Sequence, residues 1–328
     1  MTAKTRKITK VLCLVLAVIL VFVGAVFAFL KIGEIKLRES LSFKDEGLSS
    51  EEAYGDEAEV FYNGQGYVYN QNLINILCIG VDKTNINVKR DRQADALYLL
   101  SLDTENDKLN ILAISRNTLA DIDVYDMNDE FLSTEKAQIC VSYAYGKDDK
   151  HSAQLTSKAV SRLLYDIPVN AYYTIFMDSV AKLVDAVGGV KVVIPEDMTK
   201  ASKDWHKGKT VTLNSSNALK FVQYREETNT PRFERQKLFI SSFFKSAKSA
   251  IAKDISLPID MYKKLSKSTV TDIKASSVSY LASELTKADM KLYNISGEVG
   301  FDGKYETFTA DEKKLYETVL NLFYIKTN

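Results

Sequence analysis

Apolar residues in this chain fall into three kinds of run, each predicting a different element. The first is Val11–Leu30, twenty consecutive residues without a charge. As a helix rising 1.5 Å per residue, it would cross roughly 30 Å of hydrocarbon. The second kind is short and continuous. Leu73–Gly80 (LINILCIG), Ala96–Leu102 and Leu109–Ser115 (LNILAIS) each have the length of a strand buried on both faces. The polar turn Thr104–Lys108 joins the last two, and Ala171–Phe176, Val190–Ile194 and Lys291–Ile295 also read as strands. The third kind has helical spacing. Ser152–Tyr165 repeats Leu155, Ala159 and Leu163 and stops before Pro168, while Ser179–Val187 is closed by Gly188-Gly189. Asn214–Tyr224 and Pro231–Ala252 are predicted helices, the second capped by Thr230 with Pro231 at its first position. Further helices are expected at Ser276–Leu285 and Ala310–Tyr324, with a turn at Asp302-Gly303 between them.

Strands and helices interleave throughout, which predicts an α/β fold with a mixed central sheet covered by helices on both faces. No compositional break divides the region after residue 72. The expected organisation is a tail (1–10), a transmembrane helix (11–30), a stalk (31–71) and a single α/β domain (72–328). Lys4, Arg6, Lys7 and Lys10 precede the apolar run with no acid among them, so the N-terminus should stay cytoplasmic and the domain should lie outside the membrane. A cleaved signal peptide ending at Val26-Phe27-Ala28 is the competing reading. The apolar run exceeds the usual signal core of about 7–15 residues, so an uncleaved anchor is expected. Residues 31–60 hold nine acids and four bases without a clear apolar period, as a solvated stalk would. Residues 61–71 (FYNGQGYVYNQ) form a tyrosine-rich turn region with no assignable role.

Composition removes several function classes. With 46% hydrophobic and 26% charged residues in 328, there is ample material for a core, which excludes a disordered chain. The 43 basic and 43 acidic residues cancel, so nucleic acid is not an expected partner. A transcription regulator would also meet its DNA on the wrong side of the membrane. Three Cys are too few for a disulfide framework or a four-Cys zinc site; Cys78 and Cys140 sit among apolar residues and are expected as buried free thiols. Of the two histidines, His151 reads as a helix cap or solvated residue and His206, beside Trp205, as part of an exposed turn. Gly-rich P-loop, Gly-x-Ser-x-Gly and Cys-x-x-Cys motifs are absent.

The nine arginines carry the chemistry. None follows position 235, although Lys is frequent there. Arginine presents a planar fork suited to phosphate oxygens, where Lys offers a point charge. Arg116 directly follows the strand LNILAIS, at the sheet edge where α/β folds bind ligands. Arg232 and Arg235, three apart, share the first turns of a helix whose N-terminus favours anions. Ordinary surface ion pairs, such as Arg232 with Glu227 or Arg235 with Glu234, are the blander explanation. Asp95 interrupts an apolar strand entry (Ala94-Asp95-Ala96-Leu97) downstream of Arg90 and Arg92; it is a cap, or a carboxylate for a hard cation or proton transfer. Asp82, after the first strand, is a weaker candidate.

Several of these stretches together resemble the LytR-CpsA-Psr family of anchored cell-wall glycopolymer ligases. Ile76–Asp82 (ILCIGVD), Ala94–Ser101 (ADALYLLS), Leu112–Thr118 (LAISRNT), Ser142–Gly146 (SYAYG), Phe176–Val193, Leu213–Arg225 and Arg232–Lys237 (RFERQK) follow that family's order. The resemblance implies a membrane-anchored phosphotransferase, in a Gram-positive bacterium, that joins a glycopolymer of teichoic acid or capsule type from a polyprenyl pyrophosphate to peptidoglycan. It implies that Arg92, Arg116, Arg225, Arg232, Arg235 and Gln236 hold the pyrophosphate, that Asp95 and Arg116 are catalytic, and that Asp95 ligates Mg²⁺ or Mn²⁺. The lipid would need an apolar channel. The chain departs from the family's pattern at Ser115-Arg116-Asn117 (usually Pro-Arg-Asp), Gln223-Tyr224-Arg225 (usually Arg-x-Arg), Asn229-Thr230-Pro231-Arg232 (usually Asp-x-Gly-Arg) and Gln93-Ala94-Asp95 (usually Arg-Ser-Asp). Two acids are thereby lost, and the alternative reading is a non-catalytic module that captures the same lipid head group.

Overall fold

The computed structural model describes residues 30–37, 59–81, 92–224 and 229–327. Residues 30–37 are helical (α1). A hairpin follows, β1 (Val60–Tyr62) and β2 (Gln65–Tyr69), turning at Asn63 and Gly64, both with positive φ. The centre of the molecule is built from β3 (Leu73–Val81), β4 (Ala94–Asp103) and β5 (Lys108–Ile114), then a second hairpin, β6 (Leu119–Tyr125) and β7 (Phe131–Gln138). A 3-10 turn at Ile139–Tyr145 leads into α2 (Asp149–Leu163), β8 (Ala171–Phe176), α3 (Val180–Ala186), β9 (Val190–Val193), β10 (Thr210–Leu213), α4 (Ala218–Gln223) and the long α5 (Asn229–Lys253). The chain closes with α6 (Leu257–Leu265), β11 (Thr269–Thr271), α7 (Ala275–Lys287), β12 (Asp289–Asn294), the hairpin β13 (Gly297–Phe301) and β14 (Glu306–Ala310), α8 (Glu312–Phe323) and β15 (Tyr324–Lys326).

Six strands make the main sheet in the order β11-β8-β3-β4-β5-β12. The β3–β8 and β5–β12 pairs are parallel and the remaining pairs antiparallel, so the sheet is mixed, as expected. Its central strands are apolar on both faces because both faces are covered. Leu77, Ile79, Leu97, Leu99, Leu112 and Ile114 point into a core closed by α2 and α8, which supply Ala159, Val160, Val319 and Phe323. The alternate positions Ile74, Ile76, Tyr98, Leu102, Ile111 and Ala113 face the opposite way, onto α5 and α7 and onto buried Leu37 of α1. Helix α5 has a second apolar side. Its Phe239 and Ala247 help enclose a satellite core with Val190, Val192, Trp205 and Phe221.

Three segments differ from the sequence reading. The tyrosine-rich stretch 61–71 is a pair of strands, joined edge-on by β15 and sealed by Tyr69 against Tyr324, ring centroids 5.8 Å apart. Within the span expected to be a stalk, then, residues 60–69 belong to a three-stranded sheet and Leu37 is buried. The hairpin β6–β7 was not anticipated, and Trp205, expected in an exposed turn, is buried in the satellite core. Among the described residues no helix is long and apolar enough to cross a membrane; the expected anchor, apart from Leu30, lies outside them.

Candidate active site

The end of β5 decides where the arginine goes. After Ile114 the backbone makes a tight turn in which the Thr118 N–H and hydroxyl both donate to the Ser115 carbonyl, at 3.0 and 2.7 Å. The Arg116 carbonyl then accepts from the Cys140 N–H at 3.2 Å, which fastens the turn to the 3-10 segment. In the antiparallel β4–β5 ladder Leu97 faces Ile114. Two residues further out on each strand, Asp95 comes opposite Arg116 on the same face, and there Arg116 Nη1 lies 2.6 Å from Asp95 Oδ1. A pair that sequence separates by twenty-one positions is thus a cross-strand pair.

Around this pair is a cleft of about 330 Å³, lined also by Arg232, Gln236, Asn294 and Glu306. It opens at the ends of β5 and β12, two parallel strands pointing the same way, the position α/β sheets use for ligands. Arg116 also donates from Nη2 to Gln93 Oε1 and, at 3.4 Å, to Cys140 Sγ. Burial opposes the guanidinium charge, but Cys140 and Asp95 beside it hold its proton above the ordinary value. Burial pushes the Cys140 thiol up, and Arg116 offsets part of that rise. Two buried polar atoms of cleft residues, Arg116 Nε and Tyr98 Oη, have no hydrogen-bond partner. Buried polar atoms are normally satisfied; Asn75 Oδ1, Ser101 Oγ, Thr174 Oγ1 and Arg235 Nε share this state away from the cleft.

Against the cleft lies a second cavity of about 110 Å³, almost wholly apolar, between the sheet and α5. Cys78, Ile79, Ile175, Met177, Leu183 and Phe243 line it, and Ala96, Tyr98 and Gln236 border both cavities. Burial raises the Cys78 thiol to about 12 and pushes the Tyr98 hydroxyl up as well, with Glu234 adding to the latter. Cys78 and Cys140 are free thiols, as expected, Cys140 buried and Cys78 partly so.

The structure gathers only part of the expected arginine set. Asp95, Arg116, Arg232 and Gln236 share the cleft. Arg92 is instead held by Asp149 at the start of α2. Arg235, 2% exposed, is engaged by Glu196 and the Tyr224 carbonyl and stacks 5.4 Å from the Tyr224 ring centroid. The expected partner of Arg235, Glu234, is paired with Lys237 at 2.8 Å. Arg225, Arg90 and Asp82 lie outside the described residues. The His151 ring accepts from the Lys147 N–H through Nδ1 at 3.3 Å, at the start of α2. The backbone N–H of His151 donates to the Asp148 cap, and the imidazole meets Tyr125 edge-on, while His206 lies exposed beside Asp197. Sequence reasoning missed Asn294, Glu306 and Lys314, which enter the cleft from β12, β14 and α8 respectively. Nothing local marks them: Asn294 arrives through the parallel pairing of β12 with β5, and Glu306 through the docking of β14 against the Arg116 turn.

The sequence profile of the LytR_cpsA_psr family matches residues 40–322. The chain belongs to that family. Among curated members, the polyisoprenyl-teichoic acid–peptidoglycan teichoic acid transferase TagU of Bacillus cereus is 28% identical over 163 residues, half of this chain and 48% of that protein. This chain therefore spans about half the length of the curated relatives it matches. Solved structures share the fold. Bacillus subtilis TagV superposes with a TM-score of 0.60 at 22% identity, covering 77% of this chain and 97% of that one. TagT bound to LIIa-WTA gives 0.59 at 20% identity, covering 85% and 98%.

Proposed function

We propose that this LytR_cpsA_psr protein is a phosphotransferase that takes a glycopolymer from a polyprenyl pyrophosphate and joins it through phosphate to peptidoglycan. The observation that carries the reading is the contact between a charged cleft and an apolar cavity through Ala96, Tyr98 and Gln236. A polyprenyl pyrophosphate has the same two halves, an anionic head and a hydrocarbon tail. The names of TagU and of the TagT complex point the same way, with teichoic acid as the polymer class and a capsule-type glycan as the other. On this reading the uncharged run at 11–30 anchors the chain, the N-terminus is cytoplasmic, and the domain works at the outer membrane face of a Gram-positive cell.

Arg116 and Arg232 would grip the pyrophosphate and stabilise charge building on the leaving lipid phosphate. Asp95 would keep the Arg116 fork aimed into the cleft. Among the described residues no three His, Cys, Asp or Glu side chains group closely enough to hold a metal ion. In the cleft, Asp95 would hold Mg²⁺ or Mn²⁺. A bound cation would neutralise charge on the pyrophosphate.

The test is to give the full-length chain a short-chain polyprenyl-pyrophosphoryl saccharide and a peptidoglycan acceptor with Mg²⁺, and to measure release of polyprenyl monophosphate. Release that requires Arg116 supports transfer. Arg116-dependent binding without release supports the second reading, a lipid-capturing module, which the absence of an acid at position 117 favours.

A further inference from the structure

Next to Arg116, the fold brings a carboxylate against Asn117 from 189 residues downstream. Buried Asn117 donates from Nδ2 to Glu306 Oε1 at 2.9 Å. The contact is held by backbone on both sides. The Phe308 N–H donates to the Asn117 carbonyl at 2.8 Å, and Gln138 Nε2 donates to the Glu306 carbonyl at 2.7 Å. An amide at 117 suits this arrangement because it can donate. Asp at 117 would set two carboxylates against each other at hydrogen-bond distance, where one charge disfavours the other. The residues at 117 and 306 are complementary.

Glu306 also stands between two spaces. One is the cleft of Asp95 and Arg116. The other is a more open groove of about 870 Å³ between the hairpins β6–β7 and β13–β14, which shares Arg116, Asn117 and Glu306 with the cleft. Its outer walls carry Lys136 and the rings of Phe301 and Tyr305, which are 71% and 54% exposed. Exposed aromatic rings beside hydrogen-bonding groups offer flat apolar surfaces to the C–H faces of sugars.

Building on the transferase reading, we propose that Glu306 is the base for the acceptor hydroxyl, and that the acceptor glycan strand lies in the groove between the two hairpins. In this step the hydroxyl oxygen attacks the phosphorus attached to the glycopolymer. The hydroxyl proton passes to the Glu306 carboxylate. The bond from that phosphorus to the bridging oxygen breaks, and polyprenyl monophosphate leaves with the electron pair. Two spaces meeting at Arg116 and Glu306 allow donor and acceptor to approach the same phosphorus from different sides.

The test uses the full-length chain, the short-chain donor and a peptidoglycan glycan fragment, comparing wild type with Glu306→Gln, Asn117→Asp and the double variant. Glu306→Gln should lower kcat for transfer by about 10²–10⁴, as loss of a general base does. It should flatten the acidic limb of the pH–rate profile and leave the donor Kd within about twofold. Asn117→Asp should be slower than wild type, and adding it to Glu306→Gln should recover about tenfold, because contacting residues couple. Phe301→Ala with Tyr305→Ala should raise the acceptor KM several-fold and leave the donor Kd alone. Transfer by Glu306→Gln within threefold of wild type overturns this proposal alone. So does a matching loss of donor binding, which would make Glu306 a scaffold residue. Absence of transfer by wild type overturns it together with the transferase reading.

Discussion

Arg116→Ala is the most informative single change. The guanidinium is largely covered, 19% exposed, and its closest anionic neighbour is Asp95 at 2.6 Å. Each hydrogen bond from such a charged group to a phosphate oxygen contributes about 1.5–3 kcal/mol. A fork making two of them gives about 3–6 kcal/mol, or roughly 10²–10⁴ in kcat/KM at about 1.4 kcal/mol per decade. Removing the cation also leaves the Asp95 carboxylate facing an anionic substrate, which moves the result toward the upper end. Arg116→Lys keeps a charge but loses Nε and the fork, so it should fall between Ala and wild type. The assay is release of polyprenyl monophosphate from a short-chain donor, with a melting scan to separate lost chemistry from lost fold. Arg116→Ala retaining kcat/KM within threefold of wild type, with the fold intact, would refute the assignment of this cleft as the pyrophosphate site.

Further predictions concern the apolar cavity, the core and the pH response. Leu183→Trp, at the wall of the apolar cavity, should fill it and weaken binding of a long-chain donor more than of a water-soluble pyrophosphate, read by competition binding. Leu99→Ala, fully buried at the centre of the sheet, should cost about 2–5 kcal/mol in denaturant unfolding. Arg235→Ala should lower stability by about 1.5–3 kcal/mol through its bonds to Glu196 and Tyr224, while kcat/KM of the folded fraction stays near wild type. Asp123 is buried; burial works to raise its carboxyl, but Arg162, Thr134 and Lys158 outweigh that and hold it below the usual range. Because its folded value is depressed, its contribution is complete above the ordinary carboxylate range and is lost as pH falls from about 5 toward the folded value. Asp123→Asn should therefore shrink the loss of stability between pH 6 and pH 3, measured by chemical denaturation.

Much of the main sheet was legible because burial on both faces demands an unbroken apolar run, and β3, β4 and β5 have one. The long helix α5 was legible from its length and from Pro231 in its first turn. The hairpin β6–β7 was not, since its inward position Asp123 carries a charge that Arg162 and Lys158, on a helix distant in sequence, neutralise. The hairpin β1–β2 looked like a turn because its pairing partner β15 is at the other end of the chain. Arg116 and Asp95 could be singled out from chain position, as a cation ending one apolar strand and an acid entering another. Their pairing could not, because it depends on the β4–β5 register.

By itself, then, the sequence determined the strand and helix faces, since periodicity expresses local backbone geometry, and it marked Arg116, Asp95 and Arg232 as candidate chemistry. Only tertiary structure decided which cations converge. Arg232 reaches the cleft, whereas Arg235, three residues on, turns to Glu196. Only the parallel docking of β12 on β5, with β14 against the Arg116 turn, brings Glu306 beside Asn117. Side chains so far apart in the chain have no local signature; hydrogen-bonded strand pairing and packing across the sheet put them in one place.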